Sequence, residues 1–378
     1  MSRRFSRLRE MILILFFVYL FLLSIELIGK GASLLGRQVA QRLLETTSNP
    51  FVGLFIGVLV TSLVQSSSLT TSLVVALVGG GILNLPTAIP IVMGANIGTT
   101  ITNTMVSMAH IKWRRDFRRA FAAATVHDFF NILTVIIIFP LELKFHFLTN
   151  IARSFERLFE NAGGFRFTSP VKSAIEPALH SIKYLFREIL HWGKHICGML
   201  MIGIGLVVLF ISLVSIVRML KSLLIGKVEV WIDKYIFRNN LLSMSLGLFI
   251  TTVVQSSSLT TSVMVPLVAT GILSLEKAFI YTMGANVGTT FTALMASFAV
   301  SGHMRATAVA VALAHLSFNL IGIAIFYPVR RIRRIPINLA RRLSFVSSRY
   351  RYVPFLYVGS VFIILPLLII IFDKAVGR

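Results

Sequence analysis

Two stretches of this chain, 190 residues apart, are near copies of each other, and both carry uncharged hydroxyl and amide side chains inside apolar sequence. The first, Thr61 to Thr102, begins TSLVQSSSLTTS; the second, Thr251 to Thr292, begins TTVVQSSSLTTS. Aligned without a gap, 26 of 42 positions are identical, including QSSSLTTS (Gln65 to Ser72, Gln255 to Ser262) and the block MGANxGTT (Met93 to Thr100, Met283 to Thr290). The copy continues at a spacing of 188, where His127 and Asn131 are echoed by His315 and Asn319. Pro140 and Pro328, at the same offset, are expected to end the helices that follow. Each copy thus reads as an entering helix, a QSSS segment, a GANxGTT segment and a helix carrying HxxxN. Met11 to Ile28 precedes the first copy and Gly198 to Val217 the second.

Hydrophobic residues make up 56% of the chain, charged residues 13%, and the mean hydropathy is +0.84, far from a soluble composition. Ten apolar segments recur between Met11 and Phe372. Several are shorter than the roughly 20 residues of a full span, or are interrupted by Gly, Ser or Thr. The expected fold is an all-α polytopic membrane protein with two structural repeats, whose re-entrant or broken helices carry the QSSS motifs. Loop charge orients the repeats. Lys112, Arg114, Arg115, Arg118 and Arg119 precede the first HxxxN helix, whereas Arg305 is the one full positive charge of the equivalent SGHMR. The positive-inside tendency sets the first loop in the cytoplasm and the second outside, so the repeats are expected to be inverted. On this scheme residues 1–140 form the first half, 141–197 an external amphipathic connection and 198–328 the second half. Residues 329–378 hold a basic cytoplasmic segment with eight arginines, then a last membrane helix or a re-entrant one.

The net charge of +23 fits basic loops facing anionic lipid; no basic helix or aromatic platform of a nucleic-acid module is present. Four arginines before the first apolar run read as the cytoplasmic start of a retained first helix in a plasma-membrane protein. The single Cys197 excludes an intrachain disulfide and a multi-cysteine metal site.

Unpaired hydroxyls and amides in hydrocarbon cost about 2–7 kcal/mol each. Small polar residues can also serve close helix packing, which would account for one QSSS taken alone. Two copies, each about 30 residues before a GANxGTT, point to a pseudo-symmetric central site as in transporters. A half-helix starting at QSSS would present free N–H groups and a positive dipole end to an anion. Unwound carbonyls at GANxGTT would suit a hard cation. The first block holds no charged residue and the second only Glu276 and Lys277, so an anion and a cation bound there must balance one another. Na⁺-coupled transport of an anion follows. The HxxxN pairs are expected to make hydrogen bonds between helices, and Asp128 and Glu26 are taken as structural. A hydrolase combining Ser66 with His127 is the alternative from another class, but it would leave two half-complete sites.

The pairing of QSSS with GAN(I/V)GTT, together with DFRRAFAAATVHDFFN (Asp116 to Asn131), resembles the type II sodium-dependent phosphate cotransporters and their bacterial relatives. The resemblance covers roughly residues 50–140 and 240–328. It implies inverted repeats whose QSSS motifs meet at mid-membrane, and inward phosphate symport with Na⁺ by alternating access. It implies that Gln65, Ser66, Ser67 and Ser68, with Gln255, Ser256, Ser257 and Ser258, hold phosphate. For sodium it implies Gln65, Ser68, Thr71, Asn96 and Thr99, with Gln255, Ser258, Thr261, Asn286 and Thr289. Na⁺ is the only metal implied, as the coupling ion, and no other cofactor is expected. Partners are phosphate, Na⁺ and the bilayer; export or another oxyanion remains an alternative, and oligomeric state is left open. The central connection lacks the cysteines and glycosylation signals of animal members, which points to a prokaryotic protein. No acidic residue lies between Thr102 and Arg114, where electrogenic animal members have one, which sets a third sodium in question.

Overall fold

In hydrocarbon every backbone polar group must find a partner within the protein, which confines a spanning chain to helices or a closed barrel. The computed structural model describes residues 2–35, 49–161, 170–186, 193–231, 239–302 and 304–376, and among them there is no strand. The first half comprises α1 (Ser2–Leu35), α2 (Pro50–Val64), α3 (Ser67–Gly79), α4 (Leu85–Gly98), α5 (Ile101–Ser107) and α6 (Arg114–Phe145). The amphipathic α7 (Phe147–Asn161) and α8 (Pro170–Tyr184) connect it to the second half. There α9 (Lys194–Trp231) precedes α10 (Asn240–Val254), α11 (Ser257–Thr270), α12 (Leu275–Ala299) and α13 (Arg305–Phe326). The chain closes with α14 (Arg330–Arg349) and α15 (Val353–Val376). Five described helices are long and apolar enough to cross a membrane, in α1, α6, α9, α13 and α15. Exposed Ile136, Phe249, Phe355, Leu368 and Phe372 are what a lipid-facing surface requires. The protein is an all-helical, multi-pass membrane protein.

Within each copy, glycines set the packing. A Cβ on Gly57 would sit 2.0 Å from the Ile91 carbonyl oxygen, and one on Gly94 would sit 1.9 Å from that of Leu54. In the second copy, Gly247 meets the Tyr281 oxygen at 2.1 Å and Gly284 the Met244 oxygen at 1.9 Å. Contacts advance together along both helices, so α2 runs parallel to α4, and α10 to α12, backbone against backbone. Only glycine permits that approach.

This corrects one expectation. The GANxGTT blocks are not unwound: α12 runs unbroken through GANVGTT, and the first copy breaks only at Thr99–Thr100, both with right-handed helical dihedrals. Their glycines serve close packing instead of a turn.

The two halves meet along crossing partners. Gly322 of α13 lies against Thr134 and Phe130 of α6, and the Phe130 and Phe326 rings are 5.7 Å apart. Numbers rise along one helix as they fall along the other, so α6 and α13 cross antiparallel. Helices α1 and α9 do the same through Gly31, Gly198 and Gly205, with Gly31 facing Gly198 and Gly205 facing Ser24. The core fills the space between, where Val75, Ala76 and Val78 of α3 pack against Phe21, Ile25 and Ile28 of α1.

One boundary also differs from expectation. Helix α6 continues through Pro140 to Phe145, because a proline removes a single N–H bond and a buried spanning helix tolerates that. Its end is fixed instead by His146 at φ 49° and by Glu142, whose carboxylate accepts from the Leu148 and Thr149 backbone N–H groups that open α7. The second helix does stop at Phe326, ahead of Pro328. The basic segment 329–351 is largely helical as α14, packed on α6. Helix α15 is one 24-residue apolar helix containing a π turn at Ser360–Ile364. The length and continuity of α15 match the spanning form, not the re-entrant one.

α15 is largely exposed, and two polar ties hold it. The Tyr357 hydroxyl donates to Asp128 Oδ2 at 2.9 Å, and Asn49 Nδ2 donates to Asp373 Oδ1 at 2.5 Å.

Two outcomes follow from this packing. Gly284→Ala is expected to destabilise the protein by about 1–3 kcal/mol through overpacking. Gly203→Ala, where a Cβ meets nothing within 4 Å, should leave the apparent Tm in detergent unchanged. Tyr357→Phe and Asp128→Ala should each cost about 1–3 kcal/mol. Because they remove the same bond, the double variant should lose less than the sum, read by thermal unfolding as a double-mutant cycle.

Candidate functional site

Each QSSS motif breaks a helix in the same way. Gln65 ends α2 in the left-handed region at φ 57°, and Gln255 ends α10 at φ 56°. A non-glycine residue there is strained, and both copies keep the strain. The next residue is extended and caps the following helix: Ser66 Oγ accepts from Leu69 N at 3.2 Å and Ser256 Oγ from Leu259 N at 3.3 Å. A hydroxyl pair bridges each break, Thr61 to Thr70 at 2.9 Å and Thr251 with Thr260 at 2.7 Å. The two tips therefore each present a helix N-terminus with serines at its first positions. Ser67 and Ser257 are buried.

The two tips meet. Ser68 Oγ donates to the Gln255 carbonyl at 3.0 Å, and Ser258 Oγ to the Thr99 carbonyl at 3.4 Å. Asn103 Nδ2 donates to Thr261 Oγ1 at 2.8 Å. Ser68, Thr99 and Asn103 are thereby linked to Gln255, Ser258 and Thr261, which lie 158 to 187 residues away in sequence. Thr71 bonds back to the Ser67 carbonyl, and Thr289 to that of Ala285.

The copies differ in one respect. Gln65 is exposed and rests against the exposed Met105 at 3.6 Å, whereas Gln255 is 9% exposed and touches Met295 at 3.0 Å. Gln255 Oε1 is buried with no partner. An unpaired buried amide oxygen is costly and invites a cation or a protonated ligand.

Behind the tips lies a second cross-linked cluster. His127 Nε2 pairs with Asn286 Oδ1 at 3.0 Å, and His315 Nε2 with Asn96 Oδ1 at 3.2 Å. Asn286 Nδ2 donates to Asn131 Oδ1 at 2.8 Å and to Asn319 Oδ1 at 3.2 Å, while Asn131 Nδ2 donates to the Asn96 carbonyl at 2.7 Å. The HxxxN pairs are interhelical ties, as their spacing implies. Each histidine reaches the asparagine of the opposite copy. The asparagine side-chain oxygens thus face histidines here, at a distance in sequence that no local pattern reveals.

Two further features went unread in the sequence. Thr102 Oγ1 and Thr292 Oγ1, equivalent positions, are both buried without a partner. They are the last residues of the duplicated block, the one signal that marks them. Asp128, fully buried, has Oδ2 bonded to Tyr357 and to Thr104 at 3.4 Å, and Oδ1 without a partner. Its hydroxyl partner Tyr357 comes from α15, 229 residues away in sequence. Among the described residues no cluster of three His, Cys, Asp or Glu could hold a metal ion.

A family model described as Na⁺/Pi-cotransporter matches residues 20–159 and 208–340. The mouse sodium-dependent phosphate transport protein 2B is 32% identical over 96% of this chain and 64% of its own length. The sheep sodium-dependent phosphate transport protein 2A is 34% identical over 94% of this chain and 66% of its own. For the rat 2A protein the values are 34%, 96% and 68%. The chain therefore spans about two thirds of the length of these curated relatives, and slightly less for the first two. No solved structure matches it. With the family match covering both duplicated halves, and the site built from the residues those halves share, the chain belongs to the Na⁺/Pi-cotransporter family.

Proposed function

We propose that this protein is a sodium-coupled symporter of inorganic phosphate that works by alternating access across the plasma membrane, with its N-terminus in the cytoplasm. The observation that carries the reading is the meeting of two strained Gln–Ser breaks, linked by Ser68 and Ser258, around a buried Gln255 Oε1 without a partner. Relatives named sodium-dependent phosphate transport proteins share 32–34% of their residues with it. The antiparallel crossings of α6 with α13 and of α1 with α9 support inverted repeats, as does the loop charge.

Phosphate is held by the Ser66, Ser67 and Ser68 group and the Ser256, Ser257 and Ser258 group. Two helix N-termini favour its charge, and Gln and Ser oxygens accept the proton of hydrogen phosphate. Sodium takes neutral oxygens of Gln65, Ser68, Thr71 and Thr99 and of Gln255, Ser258, Thr261 and Thr289. Asn96 and Asn286 belong to the framework of this conformation; ligation through their side-chain oxygens requires His127 and His315 to release them. With no fixed charge in either tip, each ion lowers the cost of dehydrating the other. That mutual stabilisation is the coupling free energy of symport. The exposed Gln65 beside the buried Gln255 supports alternating access, because chemically equal tips stand in unequal environments.

Purified protein in proteoliposomes tests the proposal. Concentrative phosphate uptake is expected with an inward Na⁺ gradient and not with K⁺; equal uptake in both would overturn it. Gln255→Ala should lower Na⁺-driven uptake at least about tenfold, the order of one lost hydrogen bond to a charged group, without loss of folded protein. In a Cys197→Ser background, Ser67→Cys should react with a thiol reagent, and phosphate with Na⁺ together should slow the reaction more than either ion alone. The native Cys197 is buried, so the replacement only clears the background.

A further inference from the structure

Past the C-terminal end of α11, opposite the end that carries its QSSS tip, a cleft of about 520 Å³ opens between the start of α6, the turn joining α11 to α12, and α14. Arg118, Arg119 and Arg341 line it, with Gly271, Ser344 and Phe345. No acidic residue is in its lining, and the ion pair of Lys30 with Glu26 lies elsewhere in the protein. Three guanidiniums thus share one concavity without a counter-charge. Gly271, at φ 84°, is bare where a Cβ would come within 2.7 Å of Arg119 Nη1, so the turn leaves room for the guanidinium.

The duplication supplies an internal control. At the offset of 188 that relates His127 to His315, Arg119 corresponds to Thr307 and Ser344 to Glu156. In that half the Thr307 hydroxyl donates to the Glu156 carboxylate, a closed neutral-to-acid pair between α13 and α7. In the cleft the hydroxyl is replaced by a guanidinium and the carboxylate by a hydroxyl. Symmetry therefore does not impose the arrangement; one half alone has exchanged a satisfied contact for a cationic vacancy. Arginine forks match phosphate oxygens in a bidentate manner.

The surroundings are interfacial. Helix α14 carries seven of the eight arginines of residues 329–351, yet exposes Ile335, Phe345 and Val346. A basic amphipathic helix of this kind lies in the headgroup layer, and by loop charge this end faces the anionic cytoplasmic leaflet.

We propose that this cleft is a second anion site, separate from the QSSS tips, which binds a phosphate group through Arg118, Arg119 and Arg341. The group comes from an anionic lipid headgroup or from free phosphate in the aqueous phase. Binding to the full chain in detergent separates the sources. The probes are dioctanoyl phosphatidic acid, dioctanoyl phosphatidylcholine and inorganic phosphate, in choline buffer without Na⁺ and in a Gln255→Ala background that removes the central site. A phosphatidic acid affinity at least tenfold above that of phosphatidylcholine, lost tenfold in Arg119→Gln/Arg341→Gln and kept in Arg342→Gln, establishes a headgroup site. The same pattern with inorganic phosphate establishes a site for the free ion. Should the double variant fail to fold, Ser344→Glu supplies the carboxylate found in the other half and is expected to abolish binding. Equal affinity across wild type and variants for every probe, or an equal loss in Arg342→Gln, overturns the proposal.

Discussion

A helix broken inside a membrane exposes backbone groups that water cannot reach, and everything distinctive in this protein follows from how two such breaks are stabilised. Gln65 and Gln255 end their helices in the left-handed region, and Ser66 and Ser256 begin the next ones. Hydroxyl bridges between Thr61 and Thr70 and between Thr251 and Thr260 keep each pair of half-helices together. The caps take up the Leu69 and Leu259 N–H groups, and helix geometry gives the N–H groups before them no partner within α3 or α11. On the function proposed above, an anion is what those groups receive.

Holding the breaks at one depth requires rigid surroundings. Backbone contact through Gly57 and Gly94, and through Gly247 and Gly284, locks each entering helix to its GANxGTT helix. The histidine–asparagine cluster then ties each of those helices to the opposite copy. Both histidine ties run between copies, while Asn286 and Asn319 are bonded within the second, so the cluster holds the two halves to each other. The equivalent helices α6 and α13 cross antiparallel where the halves meet.

Much of this was legible in the sequence, and the reason is the duplication. A helix break at a single QSSS has no unique signature, but repetition of QSSSLTTS at the same distance from GANxGTT identifies it as a structural unit. The continuity of α12 was not legible, because a glycine chosen for its small size and one chosen for positive φ look alike in one sequence. Gly284 packs against the Met244 carbonyl, and Gly271 adopts φ 84°; only coordinates separate them. Pairings such as His127 with Asn286, or Asp128 with Tyr357, join residues 159 and 229 positions apart, and no periodicity carries that information. Pro140 misled because a proline breaks an exposed soluble helix more readily than one held by neighbours in a bundle.

The unequal burial of Gln65 and Gln255 has an energetic consequence. The two tips share backbone strain, cap and bridging hydroxyls, so exchanging their environments returns nearly the same interactions with the labels reversed. The free-energy gap between the two arrangements is then set mainly by positions where the copies differ. A machine built from two like halves starts close to balance, and ligands of modest affinity suffice to tip it either way.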